Sequence, residues 1–281
     1  MIAIEGNSVA ELLTKVVTLI IKKEHNPKVV NISSPRGKKC YAINDNIALK
    51  LTDPMNTVFE SETRSTQLEY LSDELHLYFK GTNKVKDFAK ASKFWNHLTN
   101  PDGTTINSAY GHLLFKDKNE HGFTEFGWAM NSLIKDRDTR QAIIRFNKPT
   151  HSFEGNKDFV CTLSGVFAIS DNKLNLTINM RSNDIQRGIP FDIPFFCILL
   201  QQAHMILVKE YPELKIGTYE HIVNNMHIYD TEYKLYKDIV DKGRKFVNRR
   251  CHIDTQLIDK NGKLIVEKFN RKTIDEHLVI T

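Results

Sequence analysis

The run Leu174-Asn175-Leu176-Thr177-Ile178-Asn179-Met180-Arg181 alternates apolar and polar side chains without a break. Successive side chains on a strand point to opposite faces, so Leu174, Leu176, Ile178 and Met180 share one face. Asn175, Thr177, Asn179 and Arg181 take the other. Residues 159–169 also have strand character, and Ser170-Asp171-Asn172-Lys173 between the two runs is turn chemistry. A hairpin over residues 159–181 follows, with Cys161 near Arg181 at its open end. Beyond Pro190 the period changes. Phe195, Phe196, Ile198, Leu199, Leu200, Met205, Ile206 and Leu207 cover most of the circumference of a helix reaching to about residue 210. Such a helix belongs at the centre of a core.

The remaining elements are read around that centre. Val9, Leu12, Leu13, Val16 and Val17 predict a first helix over 8–24, stopped at Asn26-Pro27. Residues 28–60 hold short strand-like pieces around the loop Ser33-Ser34-Pro35-Arg36-Gly37, which lifts Arg36 away from competing partners. A second helix spans 67–80, with Leu68, Leu71, Leu75 and Phe79 inward and Gly81 as its stop. Glu74 falls on the edge of that buried face, a place that also suits a half-exposed surface acid. A further helix is expected over 126–135, then the charged loop 136–140, a strand over 142–146 and another over 227–229. The rest of the tail reads as polar and basic. Strands and helices mix without a βαβ rhythm, which favours an α+β fold in one domain, 1–281.

Bulk properties exclude several classes. With 41% hydrophobic and 26% charged residues of mixed sign, the chain can bury a substantial core and is not disordered. The net charge of +5 is spread thinly, and clusters such as residues 244–250 are brief. A solvated basic face explains them better than a nucleic-acid groove, so no direct DNA binding is expected. Four cysteines show neither C-x-x-C pairing nor zinc-ligand spacing, so no metal is expected and a reducing cytosol is the default. The start lacks a basic region followed by a long apolar run, so no secretory signal is expected. No stretch is read as the roughly 18–20 apolar residues of a membrane span.

Chemistry concentrates at Cys161. A guanidinium beside a thiol stabilises the thiolate and lowers its pKa below the ~8.5 of a free thiol. Cys40, Cys197 and Cys251 lack such a neighbour in the pattern and are read as packing or surface residues. Around Cys161 several motifs fall in order. They are Glu74 before Gly81, Asp138-Thr139-Arg140-Gln141, Arg181-Ser182-Asn183-Asp184, Gly188-Ile189-Pro190-Phe191-Asp192-Ile193 and His227-Ile228-Tyr229. This series resembles the thymidylate synthase family. Details are similar to its phage deoxycytidylate hydroxymethylase branch. Thr162 follows the cysteine where the synthases have histidine, Ile106-Asn-Ser-Ala-Tyr-Gly111 and Asn179-Met-Arg-Ser-Asn-Asp184 match that branch, and Asp192 replaces the uracil-reading asparagine.

The resemblance implies a thymidylate synthase-like fold, a mixed sheet packed by helices around a long central helix, and a homodimer formed through the sheet. It implies that Cys161 adds to C6 of a pyrimidine nucleotide, with Glu74 as acid–base group and Tyr110 assisting proton removal. Arg36, Arg181 and Ser182 would hold phosphate, Arg140 would reach the partner's phosphate site, and His227 and Tyr229 would bind the sugar. Asp184, with Trp95, Gly188 and Phe191, would line the site of 5,10-methylenetetrahydrofolate. Gln141 stands where the family has a second arginine, so the phosphate would meet one charge fewer.

Asp192 points to the base. An ionised carboxylate only accepts hydrogen bonds. It suits the amino group of cytosine and opposes O4 of uracil. It can also pair with N3 once the ring has been attacked at C6 and N3 is protonated. Its plain alternative is a cap on the helix that follows. The expected reaction is dCMP to 5-hydroxymethyl-dCMP, a precursor of hypermodified DNA, in the host cytoplasm if the gene is a phage's. A dCMP methylase, a dUMP hydroxymethylase or thymidylate synthase, a CMP hydroxymethylase and an inert nucleotide- or RNA-binding relative remain open.

Overall fold

A computed structural model describes residues 1–24, 27–34, 37–253 and 278–280. The chain opens with β1 (Ile2–Gly6) and α1 (Val9–Ile21), whose N-cap is Ser8. The Ser8 hydroxyl accepts the Glu11 N–H at 3.2 Å, satisfying one of the otherwise unpaired first-turn donors. β2 (Lys28–Ser34), β3 (Gly37–Ala42), β4 (Ile47–Leu51) and β5 (Val58–Glu60) follow, so the strand-like pieces of 28–60 resolve into four strands. Arg36 lies outside the described residues.

The helical middle of the chain holds α2 (Leu68–Lys80), α3 (Val85–Ala91), α4 (Tyr110–Phe115) and α5 (Glu125–Lys135). Gly81 ends α2 in the left-handed conformation, φ 74°, that glycine adopts without a Cβ penalty. Next come β6 (Ile143–Arg145), β7 (Thr162–Ser170) and β8 (Lys173–Met180). Asp171 and Asn172 between β7 and β8 both take positive φ, 49° and 57°, the hairpin turn whose twist matches that of its strands. On β8 the apolar set is fully buried and the polar set half-buried, as the alternation requires.

β9 (Asn183–Asp184) leads into α6 (Ile189–Leu207), followed by β10 (Lys215–Val223), β11 (Met226–Tyr229) and α7 (Asp230–Asp241). By length and composition alone α6 is apolar enough to cross a bilayer, which corrects the expectation that no stretch comes close. Most of it, 78% of the apolar window, is buried inside the fold, so it is the core helix. α7 was not expected. Its buried side is little more than Tyr236, Ile239 and Glu232, too sparse a stripe to stand out in a polar tail.

A six-stranded mixed sheet runs β1-β4-β10-β8-β7-β6, and a four-stranded sheet runs β2-β3-β11-β9. α1 packs on β1 and β4, and α6 on β8 and β10. In β4, β8 and β10 fully buried residues alternate with half-buried ones, so one face of the large sheet is sealed and the other is not. The fold is α+β. The small sheet sets β9 beside β11, Asp184 opposite His227, immediately before α6 begins.

Candidate active site

β7 does not run straight into its pairing. Its register against β8 shifts between Thr162 and Ser164, a bulge directly after Cys161. The Arg181 N–H donates to the Cys161 carbonyl at 3.0 Å, and Nη2 donates to Sγ at 3.5 Å. Arg181 also donates from Nε to the Val160 carbonyl at 3.0 Å and from Nη2 to the Phe159 carbonyl. The guanidinium therefore grips the segment that carries the thiol and fixes a positive charge at the half-buried sulfur.

Three residues before Cys161, the buried Asp158 accepts N–H bonds from Asn107 at 2.6 Å and Ser108 at 2.7 Å, and the Ser108 hydroxyl. Those donors sit just ahead of Tyr110, so one carboxylate ties the lead-in of the thiol to the start of α4. Burial raises the Asp158 pKa, opposed by the bonds from Ser108 and Asn107 and by nearby Arg181. Sequence reasoning missed Asp158, and no motif marks it.

Glu74 is buried, not half-exposed. Its Oε1 accepts the Tyr70 hydroxyl at 3.1 Å and the Tyr78 hydroxyl at 3.3 Å, and Trp95 Nε1 donates to the Tyr70 oxygen at 3.1 Å. Tyr70 and Tyr78 lie four residues either side of Glu74 on one helix face, a spacing that could have found them. Burial first, then Glu74, holds the Tyr78 hydroxyl well above its ordinary pKa. Tyr110 stacks on Tyr78 at 5.3 Å and accepts the Thr162 hydroxyl at 2.9 Å. Burial, then Asp192 and Cys161, keeps Tyr110 protonated as well.

Asp192 lies in the first turn of α6, four residues after the N-cap Gly188, so it is not the capping residue. Instead Asp192 Oδ2 accepts the Asn183 amide at 2.7 Å. Gly188 makes the approach possible. A Cβ there would meet Asn183 Nδ2 and the Asp184 carbonyl at 2.7 Å each.

A cavity of about 840 Å³ collects Cys161, Glu74, Tyr110, Asp192, Arg181, Ser182, Asp184, Gly188, Trp95 and Tyr229. Residues not foreseen also line it, among them Tyr70, Tyr78, Asp158, Asn183, Phe94 and Arg187. Two expected side chains stand back. Phe191 is turned into the core, edge-on to Tyr70 at 4.8 Å, because its place on α6 faces inward. His227 is buried behind Tyr229, with Nδ1 2.9 Å from Asn225 Oδ1. Arg140 is exposed and does not line the cavity of its own chain.

The thymidylate synthase family model matches residues 42–274. The deoxycytidylate 5-hydroxymethyltransferase of Enterobacteria phage T4 is 26% identical over 192 residues, covering 66% of this chain and 76% of that protein. The deoxyuridylate hydroxymethyltransferase of Delftia phage PhiW-14 is 25% identical over 210 residues, 70% of this chain and 54% of that one. Among solved structures, the thermostable thymidylate synthase A of Bacillus subtilis has a TM-score of 0.67 at 16% identity, covering 92% of each chain, a likeness of fold.

Proposed function

Since this chain belongs to the thymidylate synthase family of folate-dependent one-carbon transferases, we propose that it hydroxymethylates C5 of dCMP, yielding 5-hydroxymethyl-dCMP. The observation that carries this reading is Asp192, a carboxylate in the cavity that also holds Cys161 and Glu74. The T4 relative's name gives the same substrate and product.

In this reading the Cys161 thiolate adds to C6, which makes C5 nucleophilic. The charge of Arg181 beside Sγ favours the thiolate. Asp192 accepts from the cytosine amino group and pairs with N3 as it gains a proton, an interaction stronger after attack than before. 5,10-Methylenetetrahydrofolate, when bound, supplies the one-carbon unit. The cavity fits such a ligand: Trp95 and Phe94 give aromatic lining, and buried Asp184 gives a polar group. Glu74 takes the C5 proton as the exocyclic methylene forms with departure of tetrahydrofolate, and then takes a proton from the water that adds to that methylene. Tyr78, which burial keeps protonated, and Tyr70 both donate to Glu74 Oε1 and so orient the water that becomes the hydroxyl. Cys161 leaves as the C5–C6 double bond re-forms.

In the same reading Ser182 meets phosphate and Tyr229 the sugar, with Arg181 contributing charge; all three line the cavity. Arg140 completes the phosphate site of a second copy, the two chains meeting through the unsealed face of the large sheet. Incubation with dCMP or dUMP and methylenetetrahydrofolate, followed by mass analysis, tests the reading. Gain of CH2O on dCMP is expected. Gain of CH2, or reaction of dUMP alone, overturns it.

A further inference from the structure

The proposed reading makes Asp192 the reader of the base, and the structure gives Asp192 a neighbour to which no role has been assigned. Asn183 is buried on β9, nine residues before Asp192, and lines the cavity. Its Nδ2 donates to Asp192 Oδ2 at 2.7 Å and to Met180 Sδ at 3.2 Å. The two amide hydrogens are thus both used on acceptors. Its Oδ1 has no hydrogen-bond partner among the described residues. Turning the amide over would set that oxygen against a carboxylate and lose both bonds. Its backbone is equally held, with the Asn183 N–H on the Asn225 carbonyl at 2.9 Å. Gly188 closes the pocket over the amide, since a Cβ there would meet Nδ2 at 2.7 Å and Oδ1 at 2.8 Å.

An amide nitrogen only donates, so this contact is favourable with an ionised carboxylate and is weakened by its protonation. The distinction matters for base choice. An ionised Asp192 accepts from an amino group, whereas a protonated one can donate to a carbonyl. We propose that Asn183 is a specificity-determining residue: it fixes Asp192 as an ionised acceptor in one orientation and thereby enforces cytosine over uracil. This rests on the reading of Asp192 given above.

The test is release of tritium from C5 of labelled dCMP or dUMP in the presence of methylenetetrahydrofolate, which reports ring activation whichever product forms. The quantity is the ratio of kcat/KM for the two nucleotides. Asn183→Ala is expected to lower the dCMP preference about tenfold or more, the worth of one hydrogen bond to a charged group. Asn183→Asp keeps the shape, removes the donor and sets two carboxylates to share a proton, so it should move the ratio further toward dUMP. It also carries the test if the smaller side chain unfolds the protein. Asn183→Ser, which retains a hydroxyl donor, should fall between Asn183→Ala and the parent. Folded Asn183→Ala and Asn183→Asp proteins with a parental ratio would overturn the inference. Asp192→Asn separates the two failures. If it shifts the ratio while the Asn183 variants do not, only the role of Asn183 falls; if it shifts nothing, the reading of Asp192 itself is wrong.

Discussion

At Cys161 the sulfur meets a guanidinium that is itself held by two carbonyls of the preceding residues, so charge and nucleophile move as one piece. A serine in that place keeps the volume and loses the thiol nucleophile. Cys161→Ser should retain the parental melting midpoint while kcat falls at least about 10³-fold. Glu74 makes a different demand. Glu74→Gln still offers an oxygen to the hydroxyls of Tyr70 and Tyr78, so the cavity keeps its shape. It cannot exchange a proton at neutral pH. Its kcat should drop about 10²- to 10⁴-fold with little change in KM for the nucleotide, measured by steady-state product analysis. An equal rise in KM would mean that Glu74 shapes the pocket and does not serve as the acid–base group.

Between elements, α4 and α2 pack backbone against backbone. A Cβ at Gly111 would collide with the Tyr78 carbonyl, and backbone cannot swing aside as a long side chain can. The Tyr110–Tyr78 stack, and with it the Thr162–Tyr110 hydrogen bond beside Cys161, depends on that approach. Gly111→Ala should therefore cost about 3 kcal/mol in chemical denaturation and lower activity even where the protein folds. Much of this level was legible in the sequence. Strict alternation located β8, the Asp171-Asn172 turn located its hairpin, and the all-round apolar run located α6. What stayed hidden had no local period. β9 is two residues long, and α7 buries too narrow a stripe in a charged segment. At the site, ordered motifs brought Cys161, Arg181 and Asp192 together, but a motif carries no side-chain direction. Hence Phe191 and His227 were expected at the cavity and stand behind it. Asp158 acts through backbone N–H groups of a segment some fifty residues earlier, which no spacing rule registers.

Across the whole molecule, the sealed side of the large sheet carries a titratable group with nowhere to put a proton. His221 on β10 is fully buried, its Nδ1 lies 2.7 Å from the Tyr219 hydroxyl, and burial lowers its pKa to about 3. The unfolded chain takes a proton there near 6.5, so the stabilising difference is complete above that value and is lost as pH falls toward 3. By pH 4 the loss is about 3 kcal/mol. His221→Gln, which can still bond the tyrosine, should flatten the acid side of the stability curve between pH 7 and 4 by that amount, read by urea denaturation. A parallel curve would show that carboxylates alone govern acid unfolding. The other side of the sheet is the one proposed above to pair two copies. Arg140 is exposed and absent from the cavity of its own chain, so its proposed role in binding phosphate requires a second copy. Each site would then need Cys161 from one chain and Arg140 from the other. Cys161→Ser and Arg140→Ala proteins should each be impaired alone, the second through KM for the nucleotide. Unfolded and refolded together, they form mixed dimers in which one of two sites is whole, and about a quarter of parental activity should return under two-fold symmetry. Activity no greater than the sum of the separate variants would place the phosphate site within a single chain and remove the reason for an obligate pair.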